Sequence, residues 1–158
     1  MIRDAVTVIS VLLSAGALTL SVYVARRQRR REGFELARAL HAELTTGTVF
    51  EARSILGGLQ RGKTLATPDA ATQAMDAYFT LLWCFERIDA GWQTLAAWGS
   101  VDAQRFLVNS IRWHVNEWES ALPEIRDAIQ ASARRKLDDA HSQEALARVA
   151  DVVRMRAA

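Results

Sequence analysis

The feature that most constrains this chain is an uncharged segment near its start, Ala5–Ala25, which an arginine cluster follows at once. The segment reads AVTVISVLLSAGALTLSVYVA and holds 21 residues without a charge. A helix rises about 1.5 Å per residue, so this length spans the hydrocarbon core of a bilayer, about 30 Å thick. A surface helix of a globular domain is amphipathic, whereas this segment is apolar on every face. The sequence therefore predicts one transmembrane helix rather than a buried core helix.

The arginine cluster predicts the orientation of that helix. Its members are Arg26, Arg27, Arg29, Arg30 and Arg31. Short basic flanks stay on the cytoplasmic side, and the N-terminal flank has only Arg3 and Asp4, whose charges cancel. We expect a bacterial inner-membrane protein with its N-terminus outside and residues 32–158 in the cytoplasm. Anionic lipid headgroups are then expected partners of the cluster, at about 1 kcal/mol per arginine.

A cleaved signal peptide is the alternative interpretation of the same segment. Val6–Leu13 would be its apolar region, and Ala15-Gly16-Ala17 would be a small-residue cleavage site. The apolar run continues for several residues beyond that site, which is unusual for a mature N-terminus. The uncleaved membrane helix is therefore favoured.

Small residues recur along one face of the expected membrane helix. Ser10, Ser14, Ala17 and Ser21 follow one another at steps of four, three and four. Such a stripe lets two helix backbones approach closely in lipid, which favours self-association. Serine and alanine are also common in membrane helices for no special reason, and both interpretations stay open.

Charge is distributed unevenly, and this bears on the class of partner. The whole chain has a formal net charge of +2, while residues 1–31 hold six arginines and one aspartate, so residues 32–158 carry a net charge of −3. Nucleic-acid binding requires a basic face on the folded part. The sequence therefore predicts lipid and protein partners, and no nucleic acid.

The remainder of the chain predicts an all-α fold, namely a small cytoplasmic antiparallel helical bundle after the membrane helix. Helix-forming residues dominate, and no segment alternates as a strand does. We divide the chain into an anchor with its arginine cluster (1–31), a helical bundle (32–131), and a charged tail that is a weakly held helix or disordered (132–158). The apolar face of that tail helix would be Leu146, Val149 and Val153.

Helix boundaries follow from local signals. The first cytoplasmic helix is expected to carry an apolar stripe of Leu36, Leu40 and Leu44, and Thr48 with Glu51 would form a capping box for the next helix, to about Leu59. Thr67-Pro68-Asp69 predicts the start of the central helix, which would end near Ala90 with Gly91 as its stop signal. A short connector, Trp92–Trp98, would follow. The next long helix, with Ser100 as its N-cap, is expected to bury Leu107, Ile111, Val115, Trp118 and Leu122.

No motif indicates familiar chemistry. The chain lacks HExxH, paired CxxC and GxSxG, and its match to the spacing of a phosphate loop, GGLQRGKT at 57–64, has no predicted strand before it. Its one cysteine, Cys84, sits in an apolar helix. His114 with Glu117, and Glu86 with Asp89, have the three-residue spacing of bundle metal ligands, but a di-metal site needs further glutamates and a second histidine. We therefore expect no metal, no cofactor and no catalytic residue, although an enzyme site around these four side chains is the weakest alternative.

Tryptophans cluster in the second half of the chain and suggest a partner surface. Tryptophan is enriched at binding hot spots, so Trp92, Trp98 or Trp113 are candidates for an interface. Trp83 and Trp118 lie on apolar helix faces and are expected in the core. Trp113 is off its helix's apolar stripe, which favours exposure.

Four segments together resemble bacterial single-pass membrane proteins of an uncharacterised (domain of unknown function) family. They are the membrane helix with RRQRRR, the helix containing Glu51-Ala52-Arg53, the aromatic segment AYFTLLWCFERIDAGW, and FLVNSIRWHVNEWESALPEIRDAI. The resemblance covers roughly residues 5–130. It implies a membrane-tethered cytoplasmic helical domain and supplies no catalytic residues.

These observations predict a membrane-anchored helical interaction or scaffold module without catalytic activity, which binds a protein partner or forms a homo-oligomer. The alternative is a membrane effector or ligand sensor that acts through oligomerisation.

Overall fold

The chain is a bundle of α-helices. The computed structural model describes the backbone of residues 2–156 and the side chains of residues 16–156. Over this range there are five helices and no strand: α1 (Ile2–Thr45), α2 (Gly47–Gln60), α3 (Pro68–Ala97), α4 (Val101–Ala133) and α5 (Ala140–Met155). The predicted all-α helical bundle is confirmed. Helix α3 contacts each of the other four and is the centre of the packing.

The apolar stripe of α4 supplies one wall of the core. Leu107, Ile111, Val115, Trp118 and Leu122 are all buried, as their spacing predicts. Pro123 follows this stripe and does not end α4, which continues to Ala133. Ile125 and Ile129, beyond the proline, are buried too. Packing on both sides of Pro123 therefore keeps the chain helical through a residue that removes one backbone hydrogen bond.

The predicted start of α3 is confirmed in detail. Thr67 is the N-cap, and its Oγ1 accepts a hydrogen bond from the Ala70 amide at 3.2 Å. Pro68 occupies the first helical position, and Asp69 lies in the first turn. Thr67 thus gives a partner to an amide that would otherwise lack one, and Pro68 has no amide hydrogen to satisfy. The charge of Asp69 interacts favourably with the positive end of the helix dipole.

Gly91 is not a stop signal, and that prediction was wrong. Helix α3 runs through Gly91 to Ala97, so the expected connector Trp92–Trp98 is largely the last part of α3. A Cβ atom at Gly91 would overlap the Cδ1 atom of Leu40 on α1. The glycine therefore allows α1 and α3 to approach closely, which is a packing role that the local sequence does not reveal.

The joint between α1 and α2 also differs from the capping box expected at Thr48. Gly47, with φ of +59°, makes the turn, and Thr46 is the N-cap, without a side-chain cap bond. Helix α2 buries Leu56, while Ile55 is 39% exposed rather than part of the core. The glycine that tolerates a positive φ thus determines where α2 begins.

The C-terminal segment is part of the bundle. The sequence sets residues 132–158 apart as a tail, whereas α5 packs against α3 and α4. Leu146, Val149 and Val153 are buried, as predicted for one face, and Leu137 in the preceding loop is buried with them. Helix α5 therefore closes the core instead of trailing from it.

Helix α1 divides into two parts. Leu40 and Leu44 are buried and Leu36 is half-buried, as the stripe predicts, whereas residues 16–32 are exposed. Gly33 is the first buried residue of α1 in the described part. Among the residues whose side chains are described, no helix combines the length and hydropathy needed to cross a bilayer. The predicted membrane segment lies partly outside that range, because its residues before Gly16 have no described side chains.

Candidate functional site

The arginine cluster lies on the exposed part of α1, immediately before that helix enters the core. All five arginines predicted to face a membrane surface are exposed: Arg26, Arg27, Arg29, Arg30 and Arg31. The Arg30 guanidinium donates to the Asp102 carboxylate on α4 at 2.7 Å. Both side chains are more than half exposed, so this ion pair adds little stability. It joins the face of α1 that carries Arg30 to the first turn of α4.

Two crevices border the cluster, and Arg26 and Arg30 line both of them. A cleft of about 420 Å³ lies between α1 and the turn that joins α3 to α4, and Arg26, Arg29 and Arg30 line it together with Trp98 and Asp102. A wider crevice of about 880 Å³ runs along α1 itself, and Arg27 and Arg31 line that one and not the cleft. Guanidinium groups donate several hydrogen bonds in a planar fork, which suits the oxygens of phosphates and carboxylates. The cluster therefore presents hydrogen-bond donors of the kind that anions accept.

Half of the predicted small-residue stripe is within the described side chains. Ala17 and Ser21 are exposed, and Ser21 Oγ donates to the Ala17 carbonyl at 2.8 Å. Ser10 and Ser14 lie outside the described side chains. The exposed Ala17 and Ser21 leave this face of α1 open to another helix.

The tryptophans do not converge on one pocket. Trp98, at the end of α3, is 41% exposed, and Trp113 on α4 is 63% exposed. Trp92 is half-buried, and the Arg156 guanidinium lies over its ring at 4.8 Å from the centroid. Trp118 is buried as expected, but Trp83 is 52% exposed, so its placement in the core was wrong. Trp83 packs beside Phe79 of its own helix, one turn away, and adds an exposed aromatic group that the sequence did not suggest.

His114 lies in a polar region between α4, α2 and α1. Burial, followed by the charges of Arg53 and His41, lowers the pKa of His114 to about 4. Within the described part of the chain, His114 Nδ1 and Arg53 Nε are buried without a hydrogen-bond partner. Arg53 Nη1 donates to the Leu44 carbonyl at 3.0 Å. Because the imidazole is neutral at pH 7, it adds no further positive charge beside Arg53.

The three carboxylates among the four side chains considered as metal ligands are hydrogen-bonded to other helices. Ser142 on α5 donates to Glu86, and Arg148 Nε, also on α5, donates to Asp89 Oδ2 at 2.9 Å. Gln60 on α2 donates to Glu117 at 3.1 Å. Among the described residues, no three histidine, cysteine or acidic side chains are grouped so that they could hold a metal ion. The carboxylates of α3 thus serve to hold α5.

A second polar network, which sequence reasoning missed, holds the start of α5. Tyr78 Oη donates to Asp139 Oδ2 at 2.6 Å, and Arg126 reaches both carboxylate oxygens, with its Nε at 2.7 Å and its Nη2 at 2.8 Å. Gln143 Nε2 donates to Tyr78 Oη at 2.5 Å. Hydrogen bonds from Arg126 and Tyr78 lower the pKa of Asp139, while burial and the bond to Asp139 raise the pKa of Tyr78. No signal in the sequence links these residues, since they come from three elements.

Cys84 is buried on α3. Burial raises the pKa of its thiol to about 12, and the nearby Glu43 carboxylate adds to the effect. Thiolate is the reactive form of cysteine. At neutral pH Cys84 is therefore a protonated, apolar core side chain.

Comparison with known proteins assigns no relative: no family model matches the chain, and no curated protein or solved structure matches it. The resemblance to uncharacterised single-pass membrane proteins therefore stays a prediction.

Proposed function

We propose that this protein is a single-pass inner-membrane protein whose cytoplasmic helical bundle is an interaction module without catalytic activity. The observation that carries the proposal is the course of α1. One continuous helix, Ile2–Thr45, contains the uncharged segment, the arginine cluster and a stretch packed in the core. It becomes buried at Gly33, two residues after Arg31. The arginine cluster thus sits where a membrane surface would meet the bundle.

Exposed apolar side chains on α1 support a lipid environment for its first half. Leu18 is 67% exposed, Leu20 is 63% exposed and Val24 is 55% exposed, although each belongs to the uncharged segment. Removing one such side chain from water contributes about 1.5–3 kcal/mol. The bundle offers them no covering surface in the described part of the chain, and a bilayer would supply it.

Charge supports the orientation. Five arginines follow the uncharged segment directly, and basic residues beside a membrane helix stay in the cytoplasm. The bundle would therefore be cytoplasmic and the N-terminus outside.

The bundle itself favours a role in binding over catalysis. Glu86, Asp89 and Glu117 are engaged with neighbouring helices, and the Cys84 thiol is protonated at neutral pH. Trp113, in contrast, is exposed and stands edge-on to the His114 ring, with centroids 4.9 Å apart. Tryptophan is enriched among the residues that form binding hot spots.

Carbonate extraction and protease accessibility test the anchor. The full chain should remain in the membrane pellet, and protease added to inside-out vesicles should digest the bundle. Glutamate at both Leu18 and Leu20 should release the protein, since each carboxylate inside the hydrocarbon core costs up to about 3 kcal/mol. Phe50→Glu, which makes the same kind of change at a side chain 57% exposed on the bundle, should stay in the pellet. Recovery of the unaltered chain in the soluble fraction would overturn the proposal.

A second candidate function is a membrane effector or ligand sensor that acts through oligomerisation. Its support is the open Ala17–Ser21 face together with the continuity of α1 into the core, where Leu40 packs against Gly91. Association through that face would rotate or tilt a helix that contacts α3 directly. Cross-linking in membranes distinguishes the two functions: Ser14→Leu and Ala17→Leu should abolish an oligomer and any growth inhibition on overexpression if the protein is an effector. An interaction module would bind its partner unchanged in that variant and lose it in Trp113→Ala.

A further inference from the structure

The cleft between α1 and the turn joining α3 to α4 has an unbalanced charge. Its α1 wall carries Arg26, Arg29 and Arg30, and the only carboxylate lining it is that of Asp102. Asp102 is already paired with Arg30 at 2.7 Å. Within the described part of the chain, neither Arg26 nor Arg29 forms an ion pair. Two guanidinium groups therefore face a cleft of about 420 Å³ without an anion.

The opposite wall carries two large apolar side chains that are exposed at its rim. Trp98 is 41% exposed and Val101 is 52% exposed, on either side of Gly99 and Ser100. Phe34 lines the cleft from α1. Trp98 sits at a helix end beside arginines, and tryptophan prefers the level of lipid headgroups, where its ring is half in apolar and half in polar surroundings.

The distance along α1 places this cleft near the headgroup layer if the uncharged segment spans the bilayer. Arg30 is about 7 Å beyond Ala25 along the helix axis, and Gly33 is about 12 Å beyond it. The headgroup region on each side of a bilayer is about 5–8 Å thick. Gly33 is where α1 touches the turn, because a Cβ there would lie 2.9 Å from Ser100 Oγ. The turn thus lies a few ångström outside the headgroup layer, and Arg26 and Arg29 lie within it.

We infer that this cleft binds the phosphate of an anionic phospholipid headgroup, with Trp98 and Val101 in contact with the lipid surface. The inference rests on the proposed membrane anchor and adds a second point of attachment to it. Arg26 and Arg29 donate to the phosphate oxygens, and Arg30 stays with Asp102. The bundle is then held against the membrane in one orientation rather than swinging beneath it.

Hydrogen–deuterium exchange on the full-length protein in lipid nanodiscs tests the inference. Discs of phosphatidylcholine are compared with discs that also contain phosphatidylglycerol, and the backbone amides of residues 96–104 are followed. Anionic lipid should slow their exchange several-fold. Arg29→Gln should abolish the slowing, while Arg27→Gln, which removes the same charge from the same cluster but does not line the cleft, should retain most of it. Trp98→Ala should reduce it, and Trp113→Ala should not.

Four results would overturn the inference. Equal exchange in both lipids means that no headgroup is bound, and equal loss in Arg29→Gln and Arg27→Gln means that only the overall charge of the cluster matters. Slowing by inorganic phosphate in phosphatidylcholine discs assigns the cleft to free phosphate instead of lipid. A chain that does not enter nanodiscs at all overturns the membrane anchor as well, whereas the first three results leave the anchor standing.

Discussion

The first half of α1 and the C-terminal helix α5 differ in where their apolar side chains lie. Leu18 and Leu20 come from the most apolar segment of the chain, and they are exposed. Leu146 and Val149 come from a charged segment, and they are buried. The difference is one of partners: α5 has α3 and α4 beside it, whereas the first half of α1 extends away from the bundle. Composition describes what a helix could bury, and only packing decides whether it does.

Polar side chains widen the contrast. Polar side chains of the core helices bind helix α5 at three points. These points are Asp139 at its start, Ser142 in its first turn and Arg148 further along. A charged segment is held in the fold because its charges have partners there. Of the five arginines in the cluster on α1, only Arg30 forms an ion pair within the described part of the chain.

The largest effect is expected from breaking the network at the start of α5. Asp139→Ala leaves Arg126 and Tyr78 without their shared acceptor, and removal of one partner of a buried pair costs about 3 kcal/mol. The Asp139 side chain is 1% exposed, so water does not replace the lost contacts. Urea unfolding of the full chain in detergent micelles, followed by tryptophan fluorescence, measures the loss. Asp138→Ala changes the exposed neighbour and should shift the free energy of unfolding by less than about 0.5 kcal/mol. Equal losses in the two variants would show that the network does not hold α5.

The next effect concerns the point where α1 enters the core. Gly91→Ala forces a methyl group into Leu40, and overpacking of this kind costs about 1–3 kcal/mol. Leu40→Ala opens space for that methyl group, so the double variant should be more stable than the sum of the two single losses predicts. Gly16→Ala, on the exposed part of α1 with no atom within 4 Å of the new Cβ, should be neutral or slightly stabilising. Additive losses at Gly91 and Leu40 would contradict the contact.

Local signals explain what the sequence could predict of this fold. The α4 stripe from Leu107 to Leu122 was predictable because its period matches a helix face, and Thr67 with Pro68 marked the start of α3 by adjacent residues alone. The packing role of Gly91 could not be predicted, because it depends on Leu40 in a different helix. The network of Tyr78 and Asp139 joins positions 61 residues apart. Pairing over such a distance leaves no periodic trace, so α5 looked like a tail.

Only the α1 wall of the candidate site could be predicted from the sequence. The arginines of α1 are conspicuous in sequence, but nothing there pairs them with the turn at Trp98. Trp83 shows the opposite failure: it lies within an apolar run, yet α3 has more apolar side chains than its neighbours cover, and Trp83 is left exposed. Exposure at the margin of a wide apolar face is decided by neighbouring helices.

A smaller effect on the free energy of unfolding is expected from protonation of His114. Its Nδ1 atom, unlike the polar groups that hold α5, has no hydrogen-bond partner within the described part of the chain. The folded pKa of His114, about 4, lies below its ordinary value of 6.5, so the unfolded chain binds the proton more readily. Stability from this group is complete above pH 6.5 and is lost as the pH falls toward 4. After discounting for solvent screening the loss is on the order of 1 kcal/mol. Urea unfolding at pH 7 and pH 4.5 should show a smaller difference for His114→Gln than for the parent chain. If the stability difference between pH 7 and pH 4.5 were the same in His114→Gln and the parent, carboxylates would account for the acid sensitivity. The pKa of Asp139 is lowered, so its contribution to stability is lost only as the pH falls below about 3.8.

The smallest effect is expected for Leu20→Ala on the first half of α1, and the same change at Leu146 in α5 is its reference. Leu20→Ala should leave the free energy of unfolding of the bundle within about 0.5 kcal/mol of the parent, because the Leu20 side chain contacts no core group in the described part of the chain. Leu146→Ala in α5 removes a side chain that is 3% exposed and should cost about 2–4 kcal/mol. Both variants are measured in the same micelles, so the difference between them reports packing alone. A loss at Leu20 as large as that at Leu146 would mean that the first half of α1 folds back onto the bundle, and the case for a lipid-covered segment would fail with it.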